Sequence, residues 1–338
     1  MIYYIFPYLF IVFMSVLSLK IKGNGYKLLF ILGMIPSVLI VCMKGEVGTD
    51  TAAYLSLLKL NLNQLNENIY NLEFGFLYFS KLMNFLNINA QVALNIFSLI
   101  ICLILFFNLN KNKNSFIIFS ALIFPIFFYD MTMNGVRYGL AFALSIPFII
   151  EPAKKILEPN KNKFSLFLAF LNHKSSFLFV FLKVAVFLNP KRFLILILFA
   201  TISFYFLKDI ILIKISDYSE LSSPSITSGL QPLIITFLIF VVNSFFFKIN
   251  IKRNSFLLII QVLFYLVSQI SYAGLRFQFI VLFFLIISLI NDQNCKNFKL
   301  YLLIMYLIGI LGFMLRFRNM LQEYGLGDSP FLPYTFFW

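Results

Sequence analysis

The chain has 338 residues, of which 61% are hydrophobic and 12% charged, and its formal net charge is +14. An ordinary globular domain carries about a quarter charged residues, so a water-soluble fold is excluded: too few polar groups exist to cover so much apolar surface. The basic residues sit in short clusters between apolar runs and never form a broad patch, which argues against nucleic acid as a partner and marks them as orientation signals in a lipid bilayer.

The apolar runs measure roughly 15–20 residues, near the ~20 that a helix rising ~1.5 Å per residue needs to cross ~30 Å of hydrocarbon. Helices are the expected spanning element, because lipid offers no partner for an unpaired backbone N–H or C=O. The first run, Ile2 to Leu19, is followed by Lys20, Lys22 and Lys27 and preceded by no cationic stretch. We therefore expect a retained first helix with its N-terminus outside, and not a cleaved signal peptide.

The clusters Lys20 to Lys27, Lys111 to Asn114, Glu151 to Lys163, Asn189 to Arg192, Lys248 to Asn254 and Asn291 to Lys299 are then placed inside, and the other loops and the C-terminus outside. These inner loops hold sixteen Lys and Arg but only three acids, Glu151, Glu158 and Asp292, the asymmetry that the positive-inside rule predicts. Two stretches depart from a plain up-and-down count. Glu73 to Asn89 is a short aromatic segment expected to lie along the outer surface or re-enter. Phe164 to Leu188 runs between two inner clusters with Asn172, His173, Lys174, Ser175 and Ser176 at its centre, and reads as a hairpin of two short helices. The expected fold is an all-α polytopic membrane protein, a single integral membrane domain over residues 1–338 with about 10–12 transmembrane helices. Cys42, Cys102 and Cys295 fall at different depths in this topology, so neither a disulfide nor a metal cluster is expected.

Candidate chemistry gathers in the outer loops. Gly48-Thr49-Asp50-Thr51-Ala-Ala-Tyr54 follows the second run, and Asp50 and Tyr54 share a face if a helix starts at Thr49. A helix cap and an interfacial anchor are the plainer roles for the pair. Glu73 opens the next segment. Arg137 lies in Tyr129-Asp130-Met-Thr-Met-Asn134-Gly135-Val-Arg137-Tyr138, where one helix is expected to emerge and the next to re-enter, and Arg276 holds a similar place in Ser271-Tyr272-Ala-Gly274-Leu-Arg276. A cation near the outer face gains nothing from the positive-inside rule. An anionic ligand would explain each, since a guanidinium presents a planar fork to phosphate oxygens; so would a snorkelling side chain or an ion pair with an acid such as Asp130. Gln261, Tyr265, Gln269 and Tyr272 are spaced four, four and three apart, which predicts a polar stripe on one helix face leading to Arg276, either a wet cavity or a set of interhelical hydrogen bonds. His173 is the sole histidine, and an unpaired imidazole in an apolar hairpin is costly, so it is either a satisfied structural donor or a proton acceptor.

In this order and loop placement, Gly48-Thr-Asp50-Thr-Ala-Ala-Tyr54, Glu73-Phe-Gly75-Phe76, Arg137-Tyr-Gly-Leu-Ala141 and His173-Lys-Ser-Ser-Phe177 resemble the EpsG branch of the Wzy-type polysaccharide polymerases, over about residues 1 to 290. The resemblance implies a membrane glycosyltransferase that joins undecaprenyl-diphosphate-linked oligosaccharide repeat units into an O-antigen, capsule or exopolysaccharide at the outer face of the bacterial cytoplasmic membrane. A sugar hydroxyl would attack the anomeric carbon of the lipid-linked chain and expel the lipid diphosphate. Arg137 and Arg276 would then stabilise the leaving group, with Tyr54, Asn134, Tyr272 and Gln269 as further substrate contacts. Asp50, then His173, then Glu73 are the ranked candidates for taking the hydroxyl proton. No metal, cofactor or nucleotide sugar is required; a chain-length regulator and a flippase are the implied protein partners. A lipid-linked glycan flippase or a glycan ligase is the alternative, but a transporter should place ionisable groups near mid-membrane in two matching halves, which this sequence lacks.

Overall fold

The computed structural model describes residues 1–60, 73–152, 161–187, 227, 229–246, 251–291, 297–321 and 331–338. Among these the regular structure is helical, with a single isolated β-bridge between Lys44 and Phe336. The helices are α1 (Ile2–Ser18), α2 (Gly25–Cys42), α3 (Thr51–Leu58), α4 (Phe74–Phe85), α5 (Ala90–Leu109), α6 (Lys113–Ile118), α7 (Val136–Ile150), α8 (Lys161–Asn172), α9 (Phe177–Phe187), α10 (Leu230–Phe246), α11 (Ile251–Ser268), α12 (Tyr272–Ser288) and α13 (Phe298–Leu321). Five segments, Gly25–Cys42, Ala90–Leu109, Ile251–Ser268, Tyr272–Asn291 and Phe298–Arg318, are long and apolar enough to cross a bilayer, and Ile2–Ser18, Lys113–Phe128, Val136–Ile150 and Leu230–Phe246 are shorter apolar helices. The chain is an all-α polytopic membrane protein. The cluster Asn189 to Arg192, assigned to the inner face, and Cys295 lie outside the described residues. Cys42 and Cys102 are free thiols.

The chain divides into two compact units. The first comprises Met1–Ile150, Glu158–Ser176 and Leu302–Trp338, and the second Glu151–Leu157 and Phe177–Tyr301. In the first, α6 runs directly into π-helical segments at Phe119–Phe128 and Asp130–Asn134. Pro125 lies inside this run and has no N–H to donate, which suits the wider π ladder. Its side chains are almost wholly buried and make an aromatic core: Phe124 stacks on Phe128 with centroids 4.6 Å apart, and Phe30 of α2 stacks on Phe116 at 4.5 Å. The second unit packs α9, α10 and α11 around α12, whose Ile280 to Leu285 are all buried.

The first unit sorts its loops between two ends. At one, Lys113 Nζ donates to the carbonyls of Leu19 and Ile21, joining two of the basic clusters assigned to the same face. At the other, Gly45 N–H donates to Thr335 O at 2.8 Å and Phe337 N–H to Met43 O at 3.2 Å, so the C-terminal tail lies along the loop that leads to Asp50. Beneath them Lys44 is fully buried, its Nζ donating to Met133 O and Thr132 O at 2.9 and 3.1 Å. Burial pushes the Lys44 amine down to about 7, with Cys102 and Cys42 opposing.

The two irregular stretches take the expected form of short helices. α4 has twelve residues, too few to span, and leaves Phe74, Tyr78, Leu82 and Phe85 exposed along one face. α8 ends at Asn172 and α9 begins at Phe177, with His173 and one 3₁₀ turn, Lys174–Ser176, between them. One expectation fails. The stripe Gln261, Tyr265, Gln269 and Tyr272 does not lie on a single helix, because α11 stops at Ser268 and α12 starts at Tyr272. Ser271 caps the new helix by accepting from Ala273 N–H, and Gly274 sits so close to the Ser268 backbone that a Cβ would fall 2.3 Å from its nitrogen. The chain turns there, and the period of the stripe is lost with it.

Candidate functional site

Four segments far apart in sequence meet at the end of the first unit where the tail lies. Glu73 is the N-cap residue of α4, with the extended backbone usual at that position, φ −69° and ψ 137°, but its carboxylate makes no cap hydrogen bond and is free to meet other partners. One oxygen pairs with the Arg137 guanidinium and the other lies 3.1 Å from His173 Nδ1. Burial pushes Glu73 up, but the His173 hydrogen bond and the Arg137 charge outweigh it and hold the carboxyl below the usual carboxylate range. An ionised carboxylate only accepts, so His173 presents Nδ1–H to Glu73, and the tautomer that does so carries its lone pair on Nε2.

Gly75 explains why α4 comes so close. A Cβ at this position would fall 2.3 Å from Oδ1 of Asn172, the last residue of α8, so glycine lets the Glu73 turn rest against the His173 turn without displacing that side chain. Arg137 lies in the first turn of α7, its guanidinium carbon 5.5 Å from the Tyr54 ring centroid and 5.9 Å from that of Phe76. Tyr54 is buried on α3, and burial pushes its phenol up despite the neighbouring Arg137 charge.

Asp50 is exposed at the N-cap of α3, which starts at Thr51 and not at Thr49; its carboxylate makes no cap hydrogen bond. Gly48, with φ +112°, sets the turn that leads into it, a conformation that other residues rarely adopt. Asn134 Oδ1 accepts from Thr49 Oγ1 at 2.6 Å and from Asp50 N–H at 3.0 Å, and Asn134 Nδ2 donates to Asp130 Oδ1 at 3.0 Å. Asp130 pairs with Arg316 of α13 and accepts from the Tyr138 hydroxyl.

Asp50, Tyr54, Glu73, Asn134, Arg137 and His173 are thus brought to one place, and the acid that meets Arg137 is Glu73 and not Asp130. Arg276, Tyr272 and Gln269 belong to the second unit. Gln269 Nε2 donates to Tyr265 O and Ser268 Oγ, both at 3.3 Å, and Arg276 is exposed near the start of α12, in its second turn. The residues missed by sequence reasoning are Tyr138, which stood beside Arg137, and Arg316, which the apolar run of the last helix makes conspicuous.

No curated protein and no solved structure matches the chain. The family model of EpsG matches residues 26–336, a span that takes in every residue of the cluster and nearly all of the fold. The chain belongs to the EpsG family, a family of Wzy-type polysaccharide polymerases.

Proposed function

We propose that the protein polymerises undecaprenyl-diphosphate-linked oligosaccharide repeat units at the outer face of the bacterial cytoplasmic membrane, with His173, Glu73 and Arg137 as its reacting centre. The observation that carries this reading is that Glu73 bridges Arg137 and His173 through its two oxygens. Glu73 fixes Nδ1–H of the imidazole, so Nε2 takes the proton of the attacking sugar hydroxyl as the new C–O bond forms at the anomeric carbon. The bond to the diphosphate breaks and its electron pair leaves with the lipid diphosphate, whose charge falls to Arg137. A guanidinium carries five N–H donors, more than Glu73 uses, and the Tyr54 and Phe76 rings on its face hold the fork in one plane. Asp50 and Asn134 line the neighbouring loop as substrate contacts.

This reading moves His173 ahead of Asp50 as the base. Asp50 is exposed to solvent, whereas His173 has a fixed tautomer and an ionised partner. Deletion of the gene tests the reaction itself. Single repeat units should remain attached to their lipid carrier on the outer face while long polymer disappears; full-length polymer in the deletion strain, or units trapped only inside, contradicts it. Arg137→Lys tests the leaving-group role, because it keeps the charge and loses the fork. A snorkelling Arg tolerates Lys, so near wild-type polymerisation at normal abundance removes Arg137 from that role.

A further inference from the structure

Asp130 is buried in the π-helical run of the first unit and has no part in the chemistry just assigned. Its two oxygens take three donors: Asn134 Nδ2 on Oδ1, and both the Tyr138 hydroxyl and the Arg316 guanidinium on Oδ2. A carboxylate within an apolar helical run is costly unless paired, and Arg316 answers that cost. The other two donors need a different reason, and both lead to the site. Asn134 turns its carbonyl oxygen to Thr49 and Asp50 N–H. Tyr138 sets its ring against His173, with centroids 6.5 Å apart at an interplanar angle of 50°. Arg137 and Tyr138 are consecutive, so the first turn of α7 is tied to Glu73 by one side chain and to Asp130 by the next.

We propose that Asp130, anchored by Arg316, is a positioning residue for polymerisation: through Tyr138 it sets the His173 ring, and through Asn134 it sets the loop that carries Asp50. The proposal rests on His173 being the base. Tyr138 is held at both ends, by the carboxylate at its hydroxyl and by the imidazole against its ring. Removing the hydroxyl lets the ring drift and the imidazole with it, and a displacement of about 1 Å at a reacting group costs up to ~10²-fold in rate.

The test uses purified protein reconstituted in vesicles with lipid-diphosphate-linked repeat units. Tyr138→Phe should lower kcat on the order of tenfold, leaving KM, abundance and thermal stability unchanged. In a His173→Ala background the same substitution should cost nothing further, because the ring it positions is gone. An Asp130→Arg/Arg316→Asp exchange should restore abundance relative to either single variant without restoring rate, since an arginine at 130 cannot accept from Tyr138 or Asn134. Wild-type kcat in Tyr138→Phe, an equal loss in the His173→Ala background, or a loss matched by falling abundance would each overturn the positioning role while leaving the Glu73–His173–Arg137 centre untouched. Wild-type activity in His173→Ala is the separate result that removes the base, and the proposal with it.

Discussion

The Glu73 cluster of the first unit and the Gln261–Arg276 stretch of the second are both polar passages in apolar sequence, and bonds that mark them reach over different spans of sequence. In the first, side chains 64, 85 and 100 residues apart pair with each other, as Arg137 with Glu73, Thr49 with Asn134, and His173 with Glu73. In the second, Ser268 and Gln269 donate to a carbonyl three and four residues back, and Ser271 caps the helix that follows it. Local bonds of the second kind satisfy a helix end and a turn. Converging bonds of the first kind leave a charged fork and an imidazole aimed at one place, which is the arrangement that general-base and leaving-group chemistry requires.

The contrast is sharpest where chemistry is measured. Replacing His173 by Ala should lower the polymerisation rate on the order of 10²–10⁴-fold with normal membrane abundance, the range general-base catalysis supplies. Arg137→Lys should cost on the order of 10²–10³, as for loss of a donor to developing charge. Arg276→Lys, read in the same assay, should cost less, because Arg276 is exposed near the start of α12 whereas Arg137 is partly buried against the Tyr54 and Phe76 rings. An equal or larger loss at Arg276 would erase the distinction between the two regions.

Gly75→Ala probes the approach of α4 to α8. The new methyl must displace Asn172, whose Nδ2 bonds Leu168 O at 2.8 Å, and this shifts the neighbouring His173. A rate loss of about tenfold with little change in abundance is expected; an unchanged rate would mean that the two turns tolerate separation. Gln269→Ala is the matching change in the second unit, and its rate should stay near wild type.

Acid pH separates the regions by stability. Because the folded pKa of Glu73 is lowered from its ordinary value of about 4.5, its contribution is complete above that value and is lost as pH falls through the lower folded one. Detergent-solubilised wild type should therefore lose more thermal stability on acidification than Glu73→Gln does, and equal losses would show that the pair contributes nothing to the fold.

The helices were legible because lipid forces apolar runs bounded by Lys and Asn clusters, and the loops near Asp50, Glu73, Arg137 and His173 were legible as polar breaks at helix ends. What joins them was not. Nothing in Glu73 or His173 announces that the two meet, since helix packing decides contacts 100 residues apart. Arg316 and Asp130 went unpaired in the sequence for the same reason, although a charge in each apolar run called for a partner. The Gln261–Tyr272 stripe misled in the other direction: Ser271 and Gly274 carried a capping and close-packing signal that a count of spacings passes over.

The most direct measurement is a double-mutant cycle on the polymerisation rate of reconstituted protein, comparing Glu73→Gln, His173→Ala and the pair. If Glu73 acts by fixing the imidazole tautomer, Glu73→Gln alone should cost on the order of 10²-fold or more and should add almost nothing to His173→Ala. Fully additive losses, or a Glu73→Gln variant at wild-type rate and abundance, would contradict a shared centre.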